Sequence, residues 1–260
     1  MGKIIAIVNQ KGGVGKTTTC VNLAAAVKAA GHSVLLCDFD PQANATSGMG
    51  VDKTANNGVY DVIINGIPAE KAIVTTPYGN VLPSSKALAG AGIEMIEMEN
   101  RQFLLKAALS QVVDRYDFIF IDCPPSLELL TLNALCAADS LLVPLQGEYF
   151  ALEGLSDLMN TVRIVRRGMN PGLEIEGVLL TMFDGRTNLS IQVAQEVKRY
   201  FPGKVYSTVI PRNVRLSEAP SHGKPITAYD RTCRGAEAYT ALCAEFLRHN
   251  PVTRKEQDDG

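Results

Sequence analysis

The sequence predicts an α/β fold: a doubly wound, mostly parallel sheet of about seven or eight strands. Apolar runs of four to seven residues alternate with helix-length segments along the chain. Those runs are nearly continuous in Val, Ile, Leu and Phe, as in strands covered by helices on both faces. A glycine-rich segment also joins the first run to the first helix.

The elements follow in order. Ile4-Ile5-Ala6-Ile7-Val8 marks a first strand over 3–9, and a helix fits 16–30, with Gly31 placed to end it. Val34 to Cys37 forms the core of a strand over 34–39. A helix over 59–65 and a short strand over 80–83 come next, then a helix over 101–115. Phe118-Ile119-Phe120-Ile121-Asp122 closes a strand over 117–122, and a Leu/Ala-rich helix covers 126–137. Strands over 140–145, 175–182 and 205–210 alternate with helices over 151–167, 188–200 and 234–248. A sheet wound this way carries its ligand site at the C-terminal ends of the strands.

A chain of 260 residues, 46% of them hydrophobic, buries about three quarters of its unfolded surface, which suits one large domain. Residues 1–249 are expected to form it, and residues 250–260 a polar, disordered tail. No apolar stretch reaches the roughly 20 residues that span a bilayer, and no signal-peptide core follows Met1, so a cytoplasmic protein with no membrane partner is expected. The six cysteines form no Cys-x-x-Cys pair, which favours buried thiols over disulfides or zinc. Net charge is −2, but residues 161–234 hold 12 Lys/Arg against 6 Asp/Glu, leaving −8 for the remainder. A basic C-terminal half suits a polyanion as well as it suits solvated helix faces.

Lys11-Gly12-Gly13-Val14-Gly15-Lys16-Thr17-Thr18 lies between the first strand and the first helix. Glycines there let backbone N–H groups converge on phosphates, and the helix N-terminus adds positive potential. Lys16 would reach the β- and γ-phosphates, and Thr17 would ligate Mg²⁺. The usual spacing asks for glycine at position 10, where this chain has Gln10, so the loop is a variant Walker A with a second lysine, Lys11, at its entrance. Asp122, at the end of a buried strand, takes the place from which such folds orient Mg²⁺. Cys123-Pro124-Pro125-Ser126 then makes a stiff turn, a candidate switch. Asp38 and Asp40 end the second strand on one side of it. Asp40, nearer the exit, can orient or deprotonate an attacking water; Asp38 is left open between Mg²⁺ and the phosphate loop.

With Asp38-x-Asp40-Pro41-Gln42, Asp122 to Ser126 and Ile210 to Ser221, these motifs resemble the ParA/Soj branch of the deviant Walker A (MinD/ParA) ATPases, over Lys3 to about Leu247. The resemblance implies a Mg-dependent ATPase with ATP and Mg²⁺ as cofactors. Lys11 would reach the partner's phosphates in an ATP-sandwich homodimer, and Pro211 and Asn213 would flank adenine. The dimer would bind double-stranded DNA without sequence preference, through Arg186 and Arg215, and sit on the nucleoid. A ParB-like centromere-binding protein would stimulate hydrolysis and release it. Lys198, Arg199, Lys204 and Arg212 could widen the DNA surface. The alternative is a MinD-like cell-division or cargo-positioning ATPase, but the polar, proline-broken end lacks the amphipathic membrane helix of that type.

Overall fold

The computed structural model describes residues 2–54, 57–148 and 151–252. Among them, β1 (Lys3–Ile7), β2 (Val34–Asp38), β3 (Val74–Thr76), β4 (Gly79–Leu82), β5 (Phe118–Asp122), β6 (Ser140–Gln146) and β7 (Glu174–Thr181) form one sheet in the order β3-β4-β2-β5-β1-β6-β7. The helices are α1 (Lys16–Ala29), α2 (Asn44–Gly48), α3 (Val59–Ile63), α4 (Ala69–Ala72), α5 (Leu88–Glu94) and α6 (Leu104–Ser110). After them come α7 (Leu129–Ala137), α8 (Ala151–Gly168), α9 (Asn188–Tyr200), α10 (Val214–Glu218), α11 (Ile226–Tyr229) and α12 (Arg234–His249).

Strand periodicity of two divides the apolar residues into two cores, one on each face of the sheet. Ile4 and Ala6 of β1 with Ile119 and Ile121 of β5 face a core shared with α3, α6, α7, α8 and α9. Ile5, Ile7, Phe118 and Phe120 face the opposite core, closed by α1 and α12. Pairing is parallel except for β3 against β4. β1, β2 and β5 therefore end at the same edge, with Asp122 in register with both Ile7 and Asp38.

Several stretches differ from the sequence expectation, among them the short helices α2, α4, α5, α10 and α11. Residues 205–210 do not form a strand: one isolated bridge joins Val205 to Val178 of β7, and another joins Pro211 to Phe183 just beyond its end. The cause is Glu245 of α12, whose carboxylate accepts from the N–H groups of Ser207 at 2.6 Å and Thr208 at 2.9 Å, drawing the middle of the segment off the sheet. β3 was not expected; it folds back on β4 through Pro77 and Tyr78, and Gly79 turns with φ +132°. The helix expected over 101–115 is α6 alone, followed by a 3₁₀ turn at Val113–Arg115. Asn250, which composition assigns to the tail, is buried and hydrogen-bonded to Lys3, Glu176 and Phe246. Residues 253–260 of that tail lie outside the described residues.

α12 is fastened by Phe246, fully buried with its ring centroid 5.1 Å from that of Phe118 and 5.5 Å from that of Phe120. Phe246→Ala should lower unfolding free energy by about 3–5 kcal/mol in urea titrations. A loss below about 1 kcal/mol would contradict this packing.

Candidate functional site

The loop after β1 is shaped by left-handed glycines. Gly13 and Gly15 have φ of +74° and +89°, a region open to glycine and costly for a side chain, and Gly15 caps α1. Gly12 lies against Pro125, so the Cys123–Ser126 turn sits beside the loop. The loop's crown is pinned from β7: the Thr181 hydroxyl donates to the Val14 carbonyl at 2.7 Å. Next along the chain, Met182 adopts φ +47°, an uncommon conformation for a residue with a side chain.

Gly12, Gly13, Gly15, Lys16, Thr17, Thr18 and Asp40 line one cavity, with Met182 on its wall. Lys16 is buried, and its ammonium donates to the Lys11 carbonyl at 2.9 Å. Burial pulls its pKa down; Asp122 opposes that. Thr17 Oγ1 donates to Asp122 Oδ2 at 2.7 Å, while the buried Asp122 Oδ1 has no hydrogen-bond partner. Burial first, and the neighbouring Asp38 charge second, push the Asp122 pKa well up.

Asp38 has its oxygens taken by the protein itself. Oδ1 accepts from the Asp40 N–H at 3.2 Å; Oδ2 accepts from the Thr46 N–H and hydroxyl, each at 2.7 Å. Its fully buried carboxylate holds the turn that carries Asp40, and burial pushes its pKa up to about 6. Asp40 accepts from the Gln42 N–H at 2.9 Å, which aims the carboxylate, and Ser84 Oγ donates to the Asp40 carbonyl at 2.8 Å.

Lys11 is not among the residues that line this cavity. Its ammonium pairs with the Glu148 carboxylate, with both side chains roughly two-fifths exposed. Gln10, in the place of the expected glycine, lies against Gly154 of α8 and donates to Asp157 at 3.1 Å. The loop's entrance therefore leans on α8.

Pro211 and Asn213 lie apart from the residues lining the phosphate cavity. Pro211 bridges Phe183, the residue after Met182; Asn213 precedes α10, and its buried Oδ1 has no partner. Arg186 is 90% exposed and bidentate on Asp184, at 2.9 and 2.7 Å. Arg215, about half exposed, contacts Glu218 at 2.8 Å and Asp230 at 3.5 Å. Thr181, Met182, Thr46, Ser84 and Glu148 were missed by the sequence reasoning. Only Thr181, at a strand end facing the loop, had a periodic signal that could have found it.

A mostly parallel sheet with a glycine loop after an interior strand, and a lysine and threonine opening the next helix, defines a P-loop ATPase fold. Residues 2–175 match the AAA domain family. The chain is 59% identical to the sporulation initiation inhibitor protein Soj of Bacillus subtilis, over 94% of this chain and 98% of that one. It is 51% identical to the chromosome partitioning protein ParA of Myxococcus xanthus, over 96% and 89%. A crystal structure of cobyrinic acid a,c-diamide synthase from Mycobacterium smegmatis with bound ATP analogue and magnesium superposes with a TM-score of 0.86 at 36% identity, over 98% of each chain. The chain belongs to the ParA/Soj family of deviant Walker A partitioning ATPases.

Asp38 offers a pH test. A carboxyl whose pKa is raised on folding stabilises the fold below its unfolded value, and that stability is lost as pH climbs through the folded value. Between about pH 4 and about pH 6, wild-type unfolding free energy should fall more steeply than that of Asp38→Asn, read by urea titration. Parallel pH profiles would contradict the buried, proton-retaining Asp38.

Proposed function

We propose that the chain is an ATP-dependent DNA-segregation ATPase that cycles between a monomer and an ATP-sandwich homodimer. One observation carries the reading: the phosphate loop holds two lysines in opposite settings. Lys16 is buried inside the site, whereas Lys11 is tethered by a half-exposed ion pair. Such surface pairs contribute about 0–1 kcal/mol, while a charge-assisted bond to phosphate contributes about 1.5–3 kcal/mol. Lys11 can therefore leave Glu148 for phosphates presented by a second subunit at little cost.

The residues fit Mg²⁺. Thr17 and Asp122 would hold it, and the unpartnered Asp122 Oδ1 supports that, since a buried carboxylate oxygen without a partner is costly. Held there, Mg²⁺ would offset negative charge on the nucleotide's phosphates. Residues Lys11 to Thr18 wrap the phosphates, with the loop N–H groups and Lys16 supplying positive potential. Asp40 accepts a hydrogen bond from the attacking water, its turn held fixed by Asp38 and Ser84. Pro211 and the unpartnered Asn213 Oδ1 meet the adenine, whose amino group is a suitable donor.

Arg186 and Arg215 contact DNA phosphates by exchanging their exposed carboxylate partners, Asp184 and Glu218, for phosphate oxygens. Lys198, Arg199, Lys204 and Arg212 extend that surface, and a ParB-like partner stimulates hydrolysis and releases the dimer. No described helix is long and apolar enough to cross a membrane. The reading places the protein in the cytoplasm, on the nucleoid when ATP-bound, with residues 1–249 as one ATPase domain.

Three experiments test this. Lys16→Ala should weaken ATP binding at least about tenfold by calorimetry, and Asp40→Ala should retain ATP while turnover falls about 10²-fold or more; unchanged values would remove those assignments. Binding to a random duplex should require ATP, decline steeply with salt, and lose part of its salt slope in Arg215→Glu. Equal affinity and slope in wild type and variant would clear Arg215 of phosphate contact.

A further inference from the structure

α8 and α9 pack against the same face of the sheet and leave a groove between them. Leu155 and Val162 of α8 line it and are buried, whereas Leu152, Met159, Ile175 and Phe201 are only partly covered by the core. Leu152, Leu155, Met159, Val162 and Arg166 follow one another at spacings of three and four, so they form one stripe along the helix. From Leu152 to Arg166 that stripe is ~21 Å long at 1.5 Å per residue. The groove encloses about 520 Å³, within the range of small-molecule sites. None of the residues lining it lines the phosphate cavity.

The two ends of the stripe differ in charge. Ser156 apart, the groove's α8 wall is apolar as far as Val162, and its last turn carries Arg163 and Arg166, both exposed. Arg166 is anchored, its Nε donating to the Leu173 carbonyl at 2.5 Å, and Arg163 Nη1 donates to the Asn160 side chain at 2.8 Å. Both partners are neutral, and among the described residues neither arginine is in an ion pair. Glu196, the one carboxylate on the facing wall, lies 4.0 Å from Arg199. An apolar channel thus ends at two cations that have no anion of their own.

We propose that this groove binds the anion of a long-chain fatty acid, with the alkyl chain along the stripe from Leu152 to Val162 and the carboxylate on Arg163 and Arg166. Guanidinium groups hold a carboxylate through paired, charge-assisted N–H···O bonds, and the apolar wall takes the chain out of water. Shape and charge decide among occupants. Spread over its length, the groove is far narrower than the about 10 Å of a helix, so a partner helix does not fill it. A second copy of the chain meeting it symmetrically would set arginines against arginines. Nucleic acid would satisfy the arginines and leave the apolar stripe bare. The site stands apart from the nucleotide cycle proposed above and does not depend on it.

The test uses the full chain without nucleotide and cis-parinaric acid, a fluorescent long-chain carboxylate, below the concentration at which it aggregates. Wild type should raise its fluorescence saturably. Dodecanoate should displace the probe, and methyl dodecanoate, which lacks the charge, should need at least about tenfold more. From octanoate to dodecanoate, displacement should strengthen roughly fourfold for each added CH₂ group. Ser156→Trp fills the groove from an exposed position, and it and Arg163→Glu should each weaken binding at least about tenfold. Arg163→Lys should keep most of the affinity, and Arg167→Glu, exposed on the same helix but outside the groove, should leave it unchanged. Equal binding by wild type, Ser156→Trp and Arg163→Glu, or equal displacement by the carboxylate and its methyl ester, would overturn the site. A protein that ignores the free probe yet sediments with phosphatidylglycerol vesicles would also overturn it, assigning the groove to a membrane surface. So would a change in self-association of Ser156→Trp with probe binding intact, which would assign it to a second copy.

Discussion

Two neighbouring strands end in carboxylates set side by side, Asp38 on β2 and Asp122 on β5, both fully buried. Like charges packed together in a low-dielectric interior are costly unless each finds donors or a cation. Much of the site's architecture supplies these. Thr46 and the Asp40 N–H take up Asp38, which fixes the turn after β2; Thr17 takes one oxygen of Asp122, which fixes the start of α1. Lys16 brings the nearby positive charge, itself disfavoured by burial. What remains unsatisfied, Asp122 Oδ1, marks where the proposed cation belongs.

Around this rigid centre the interactions become exchangeable. Lys11 with Glu148, Arg186 with Asp184 and Arg215 with Glu218 are all partly or largely exposed ion pairs. Screening and side-chain entropy keep such pairs weak, so each cation can be given up to a phosphate, from nucleotide or from DNA. In the proposed cycle, fixed geometry is kept for the reacting atoms, and replaceable pairs serve the contacts that form and break. Gln10 fits the same division: a glycine there would leave the loop free of α8, whereas the glutamine ties it to Asp157.

Much of this was legible in the sequence because buried parallel strands and glycine loops leave dense local patterns. The P-loop, Asp40 and Asp122 fall together as expected, and so do the main helices. The failures arose where long-range contacts decide. Residues 205–210 read as a strand by composition, but a carboxylate 37 residues or more away in the chain, Glu245, claims two of their N–H groups. Ser84 and Thr46 carry no motif; their place in the network appears only when β4 is seen ending beside β2. Glu148 is equally invisible in the sequence, since nothing local announces that an exposed acid faces Lys11. The donors that Asp38 accepts from, Thr46 and the Asp40 N–H, are likewise not announced by the order of residues.

In the proposed cycle, Lys11 leaves Glu148 to complete a second subunit's nucleotide site. Sedimentation velocity of wild type and Lys11→Ala, each loaded with a non-hydrolysable ATP analogue, measures it directly, with bound nucleotide quantified in the same samples. Wild type should sediment as a dimer, and Lys11→Ala as a monomer that still carries nucleotide. A Lys11→Ala protein that dimerises with the analogue as fully as wild type would contradict the account.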